Sequence, residues 1–347
     1  MAARRRVWNV GWVALSAWMM AGCVATSPPA SESDDSRFRV VATTSQIADA
    51  LQQVLGPLSE EIEITRLCGP GVDPHSFSPS VADVRAMESA DLIIFNGFHL
   101  EAKLDALLQG RYAEKSWSMA GAFPESARLA WVEDGQTDPS APFDPHIWNH
   151  LEGWAQCVRQ MASTVAAKRP EKSDAIEVGA TAYLAEIQAI HVEAKSRFAA
   201  IPRERRVLVS SHDAFNYFAD VYGFDTLAVL GIGNDAEADV ATMRQVAETV
   251  ADREVPVIFL ESITNPKIAQ SLREAAAARG WQVRIADRPL YSDDLGSEPP
   301  TDTFLGAFQH NVDLIAESLT PSAATEVTTK PVPARQVPLA MATESPR

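Results

Sequence analysis

The stretch EKSDAIEVGATAYLAEIQAIHVEAKSRFAA, Glu171 to Ala200, decides how the chain is organised. Ile176, Ala180, Tyr183, Ile187, His191, Ala194 and Phe198 advance by steps of three and four, the period of one helical face. After Pro170 no proline and no glycine but Gly179 interrupts the stretch. It predicts one helix of about 30 residues, roughly 45 Å long. Two shorter helices broken near Gly179 are the competing reading. One unbroken helix would act as a stiff strut between its flanks, unlike a hinge of loops.

On both flanks, short β-branched runs alternate with helical patterns. Before the stretch lie strand candidates at Phe38 to Thr43, Ile62 to Leu67 and Asp91 to Asn96, with helices through Ile47, Leu51 and Leu55 and over Val81 to Ser89. After Pro202 come strands at Arg206 to Ser211, Thr226 to Leu230, Val255 to Glu261 and Gln282 to Ala286. Helices at Ala214 to Tyr222, Asp239 to Ala251 and Pro266 to Arg279 separate them, and Phe304 to Leu319 closes the pattern. Such alternation means parallel strands with crossover helices, an α/β fold on each side of the strut.

The ends read differently. Arg4, Arg5 and Arg6 precede an apolar run from Val7 to Met20 and then Ala21-Gly22-Cys23. Basic, apolar and small in that order is an export signal, too short for the roughly 20 residues of a spanning helix. It resembles a bacterial lipoprotein signal, with Met20 where Leu is usual. Residues 1–22 are therefore expected to be removed and Cys23 to carry lipid. Residues 23–37 read as a flexible tether, and the Pro-, Thr- and Ala-rich 321–347 as a disordered tail. Removing residues 1–22 leaves 27 basic against 46 acidic residues, a formal charge of −19. A surface so acidic repels nucleic acid and anionic headgroups and favours cations. Cys68 and Cys157, with 88 residues between them, form no thiolate cluster and read as half-buried thiols in preference to a bridge.

Seven histidines occur, and two sit in the same tripeptide, Asp73-Pro74-His75 and Asp144-Pro145-His146. Proline fixes its own φ and restricts the residue before it, so each imidazole projects from a stiff turn. A nearby carboxylate can orient such a ring through its other N–H. His212 follows the strand VLVSS, His75 follows the second strand, and Asp293 follows the last. In open parallel sheets, ligands bind beyond the carboxyl ends of strands. Three imidazoles and a carboxylate suit one divalent transition metal ion, Zn(II) above all, with Mn(II) or Fe(II) accepted where geometry permits.

The segments GPGVDPHSFSPSVADV, DLIIFNGFHLE, DPHIW, SSHDAFNYFADVYGF, IFLESITNPK, LYSDDLG and FQHNVDLI occur in this order over most of residues 38 to 319. Jointly they resemble the zinc and manganese substrate-binding lipoproteins of ABC transporters, the TroA-like cluster A-I. The resemblance implies an α/β fold of two lobes, 38–168 and 202–320. Each lobe would hold a mainly parallel four-stranded sheet flanked by helices, and one long linker helix, 169–201, would join them. It implies a metal between the lobes on His75, His146, His212 and Asp293. It also implies an ABC permease and its ATPase as partners, a monomeric binding protein outside the cytoplasm, and membrane contact through the N-terminal lipid alone. Some manganese-dedicated members carry Glu where His212 stands. Zinc-dedicated members often carry a His-rich loop where Trp131 to Phe143 has no His. The chain also departs at Asn149, where such proteins commonly have Phe or Leu followed by Asp.

Blander readings stand beside these. His150 lies four residues from His146, but Ile147 stands where a HExxH motif needs its glutamate. His99, His191 and His310 read as structural or solvated. Asp294 competes with Asp293 as ligand, though the LYSD motif favours Asp293. Glu261 reads as a carboxylate behind the site, a fifth ligand, or a cap on loop backbone. A metal-dependent hydrolase would need an open metal position and a base such as Glu261, and a metal-containing adhesin could use the same residues. The chain has no HExxH, GxSxG or GxxxxGK[ST] motif, and Gly231-Ile232-Gly233 reads as a turn. Four protein ligands close a tetrahedral site, which favours carriage over catalysis.

Overall fold

The computed structural model describes residues 37–131, 142–231 and 239–321. The signal peptide, Cys23, all of the tether but Arg37, the tail beyond Pro321, Ile232-Gly233 and residues 132–141 lie outside the described residues.

The first half opens with β1 (Phe38–Ala42), whose Val40, Val41 and Ala42 are buried. Helix α1 (Ser45–Leu55) starts where the Thr44 side chain accepts from Ile47 N–H, and ends at Gly56 as the spacing predicted. Strand β2 (Ile62–Arg66) follows, then α2 (Val81–Ser89), opened by a reciprocal capping box between Ser80 and Asp83. The buried strand β3 (Leu92–Phe95) and two short elements absent from the predicted pattern, β4 (Ser116–Ser118) and α3 (Met119–Ala122), come next. The four strands form a parallel sheet of order β2-β1-β3-β4. Helix α4 (Leu151–Lys168) then leads into the strut.

The strut is one helix, α5 (Ser173–Ala199), unbroken at Gly179. Its buried residues are the seven that the three-and-four spacing marked. Gly179 serves close approach: a Cβ there would lie 2.1 Å from the Val54 carbonyl oxygen at the end of α1. The helix packs on α1 and α4, and on the helices Asn216–Tyr222 and Phe304–Leu319 of the far half as well.

That half contains β5 (Val207–Ser210), α6 (Asn216–Tyr222), β6 (Asp225–Ala228), α7 (Val240–Asp252), β7 (Val257–Glu261), α8 (Lys267–Ala277), β8 (Arg284–Leu290) and α9 (Phe304–Leu319). The expectation of a single four-stranded sheet needs correction here. The strands bond as two parallel pairs, β5 with β6 and β7 with β8. Strands β5 and β7 share both faces: Val207, Val209 and Ile258 enter one apolar cluster, Leu208, Val257 and Phe259 another. Their backbones are not laddered, and at the carboxyl end the Ser211 N–H goes to the Glu261 side chain. The register of β7 on β8 also shifts between Ile258 and Leu260, beside Pro289, which has no N–H to give. Strand β8 runs four residues past the predicted end at Ala286 and so delivers the chain to Asp293.

A single apolar cluster runs from β1 and α1 through α4 and α5 to α6 and α9. Both halves share it, so the long helix is cemented to each of them. Cys68 and Cys157 are buried and unbridged, and burial pushes the Cys157 thiol up to about 12. Among the described residues, no helix is long and apolar enough to cross a membrane.

Candidate metal centre

Each predicted ligand reaches the site by a different route. His75 sits in the irregular loop between β2 and α2, where Asp73 Oδ1 accepts from His75 N–H at 2.9 Å and Asp73 Oδ2 accepts from Ser76 Oγ at 3.0 Å. His212 follows β5 closely, and Asp293 follows β8. His146 comes from no strand end. It lies three residues after Phe143, whose lone antiparallel bridge to Ala130 brings the chain back toward the site before α4.

The four converge. One donor atom from each of His75, His146, His212 and Asp293 lies within 4.8 Å of all the others. His75 Nε2 is 3.2 Å from His146 Nε2 and 3.5 Å from Asp293 Oδ2. Asp293 Oδ1 is 3.5 Å from His146 Nε2, and Oδ2 is 3.1 Å from His212 Nε2. A tetrahedron with metal–nitrogen bonds of about 2.0–2.1 Å has edges of about 3.3–3.4 Å, so these separations match donors around one first-row ion. An organic solute has no room among four such atoms. A groove of about 690 Å³ between α4 and α5 contains none of the four.

Among the described residues, two of the three rings are held from behind by carboxylates. His146 Nδ1 lies 2.8 Å from Asp144 Oδ1, which also accepts from the His146 N–H at 2.9 Å. His212 Nδ1 is in close contact with Glu261 Oε2, while Glu261 Oε1 accepts from the N–H groups of Ser211 at 2.7 Å and His212 at 3.0 Å. An ionised carboxylate only accepts, so each Nδ1 carries a proton, and the inward-facing Nε2 is the atom that offers its lone pair to a metal once its own proton is lost. Glu261 is therefore behind the ring and not beside the ligand atoms. Burial opposes protonation of His146 and His212, yet Asp144 and Asp293 raise the first, and Glu261 and Asp293 raise the second well above the ordinary 6.5. Burial would raise Asp293, and the two imidazoles instead hold it well below the usual carboxylate range. Without metal, this is a proton-holding cluster that an incoming cation must displace.

The supporting frame contains residues that local patterns did not mark. Glu101, buried and pushed up by burial, accepts from Thr43 Oγ1 at 2.6 Å, Asn96 N–H at 2.7 Å and Gly97 N–H at 3.1 Å, joining the ends of β1 and β3. Asn96 Nδ2 donates to Pro145 O at 2.8 Å, which fixes the turn before His146. Trp148 Nε1 donates to Ser292 O at 2.8 Å, beside Asp293. Asn149, the departure from the resembling family, has a use here: its Nδ2 donates to Ala214 O at 2.9 Å and ties the His146 turn to the His212 loop. Tyr217 OH donates to Asp144 O at 3.1 Å, and Asn216 Nδ2 to Asp144 Oδ2 at 3.1 Å. From α9, Asn311 both accepts from Tyr291 N–H at 2.9 Å and donates to Tyr291 O at 2.7 Å, which holds the loop of Asp293.

The other histidines are spent elsewhere. His150 Nδ1 accepts from Gly153 N–H at 3.0 Å and caps α4, and His191 Nδ1 meets Tyr222 OH at 3.1 Å. His310 Nε2 bonds Pro289 O at 2.9 Å, and exposed His99 pairs with Asp105 at 2.6 Å. Asp294 points away from the ligand atoms, to Ser262 Oγ and to Gly71 N–H at 2.8 Å.

Known proteins resemble this chain over most of its length. Residues 40–318 match the model of a family described as zinc-uptake complex component A, periplasmic. The manganese-binding lipoprotein MntA of Bacillus subtilis is 32% identical over 309 residues, 88% of this chain and 97% of that one. The zinc-binding protein TroA of Treponema pallidum is 33% identical over 287 residues, 82% of this chain and 90% of that one. The solved structure of the periplasmic zinc-binding TroA superposes with a TM-score of 0.76 at 32% identity, covering 82% of this chain and all of that one.

Proposed function

The chain belongs to the family of the periplasmic zinc-uptake component A, and on that premise we propose that it is the extracytoplasmic binding protein of a metal ABC importer. It captures Zn(II) or Mn(II) between its two halves and delivers the ion to a membrane permease driven by an ATPase. It is a carrier and not an enzyme, and several relatives are named as ABC transporter substrate-binding lipoproteins. The observation that carries the reading is the buried convergence of His75, His146, His212 and Asp293, with donor separations that fit one ion.

Residues 38–168 and 202–320 form the two halves, with 169–201 as the joining helix. A monomer anchored by lipid on Cys23, in the periplasm or at the cell surface, fits the lipoprotein relatives and the N-terminal sequence. At equilibrium a nitrogen-rich set prefers Zn(II) to Mn(II), so import of Mn(II) depends on availability and release as well as affinity.

Deleting the gene tests the reading. Growth should fail in medium depleted of the imported metal and return when that metal is in excess. Unimpaired uptake of both Zn(II) and Mn(II) would sink the importer assignment.

A further inference from the structure

The four ligands are not held alike. The side chains of His146, His212 and Asp293 are fully buried, while that of His75 is 11% exposed. The loops of the three buried ligands are tied together across the halves by buried Trp148 and Asn149. The His75 loop is mostly half-buried or exposed from Gly69 to Ser80 and has no regular structure. Among the described residues, its one hydrogen bond to the far half, outside the ligand cluster, is Gly71 N–H to Asp294 Oδ2 at 2.8 Å. Gly71 stands at φ 74°, a left-handed turn that aims its N–H at that carboxylate. Asp294 is 4% exposed and its other oxygen is taken by Ser262 Oγ, so the latch is itself fixed to the end of β7. Among the described residues the His75 ring also has no carboxylate behind it: Asp73 is occupied with the backbone of His75 and with Ser76.

We infer that His75 is the last ligand to close on the ion and the first to leave, and that Asp294 is a positioning residue that latches its loop shut. The other three ligands form a preformed half-cup, and the ion passes over the loop Gly69 to Ser80. Asp294 adjoins the ligand Asp293, so one short segment both binds the ion and holds the loop that covers it. The inference rests on the metal-binding reading above and adds the order of ligand exchange to it.

The test measures Zn(II) transfer from the purified protein to excess chelator by stopped flow, together with association. In Asp294→Ala the latch is lost. Dissociation should accelerate at least tenfold with association changed less than threefold, and hydrogen exchange at amides 69–76 should quicken. Asp294→Asn keeps one acceptor and should fall between that variant and the wild type, which preserves the test if the alanine variant does not fold. In His75→Ala, added imidazole should restore binding through the open side, whereas the buried positions of His146→Ala and His212→Ala should stay unrescued. Wild-type release in both Asp294 variants overturns the latch, and imidazole rescue of all three His variants overturns the order. Failure of the wild type to bind Zn(II) at all overturns this inference and the proposed function together.

Discussion

Replacing Glu261 by Gln alters one atom and forces a choice that the geometry makes costly. One carboxylate oxygen accepts from two backbone N–H groups, at 2.7 Å from Ser211 and 3.0 Å from His212, and the other faces His212 Nδ1. Gln offers a single acceptor. If its oxygen turns to the imidazole, its NH2 meets two buried N–H donors, and each buried donor left unpaired costs about 1–3 kcal/mol. The oxygen therefore stays on the backbone and the NH2 faces Nδ1. Nδ1 must then accept, the proton moves to Nε2, and the nitrogen that faces the ion loses its lone pair. Loss of a carboxylate behind a metal-bound His typically weakens affinity about 10- to 100-fold, which is about 1.4–2.7 kcal/mol. Competition with a chromophoric chelator should show this loss for Zn(II), and nitrogen chemical shifts of the metal-free variant should place the His212 proton on Nε2. Binding within threefold of the wild type would refute the tautomer argument and leave Glu261 as a backbone cap only.

Three other outcomes follow from the structure. The imidazoles of His146 and His212 have raised folded pKa values, so Zn(II) must displace their protons, and affinity should fall as pH drops from above those values through the ordinary 6.5. For the metal-free protein the sign reverses: the two imidazolium groups contribute stability that is fully present below 6.5 and is lost as pH rises through their folded values, so its Tm should fall over that window. A metal-free Tm that rises with pH there would contradict the charged cluster. Gly179→Ala sets a Cβ 2.1 Å from the Val54 carbonyl, so α1 and α5 must part. The overpacking cost of about 1–3 kcal/mol should exceed the roughly 1 kcal/mol gain in helix propensity and lower Tm by several degrees. A Tm at or above the wild type would show that the contact yields freely.

Local periodicity carries far in this chain. The seven buried positions of α5 could be read from spacing alone because they repeat over the whole helix; α4 carries the same kind of stripe in Leu151, Trp154, Val158, Met161 and Val165, all buried, yet was not among the predicted helices. Short or irregular elements carry little such signal. Strand β4 has three residues, and Pro289 disguises the end of β8. The split of the second sheet into pairs depends on how β5 meets β7, which neither strand encodes by itself.

The four converging residues were legible because Asp-Pro-His recurs, because His212 and Asp293 follow strands, and because the ordered segments resemble a known family, which favoured Asp293 over Asp294. Their supports were less so. Asn149 finds Ala214, Trp148 finds Ser292 and Gly71 finds Asp294 across 65, 144 and 223 positions of sequence. A polar residue whose partner is chosen by tertiary packing leaves no local pattern. Asn149 is the clearest case: no local pattern assigned it a partner, and it makes its hydrogen bond only because the His212 loop lies beside it.

The central claim is that His75, His146, His212 and Asp293 hold one ion together, and Zn(II) titration of the wild type beside the four single alanine variants tests it most directly. One ion per wild-type chain and a large loss of affinity in every variant is the expected result. A variant that retains wild-type affinity would remove its residue from the site and contradict the four-ligand account.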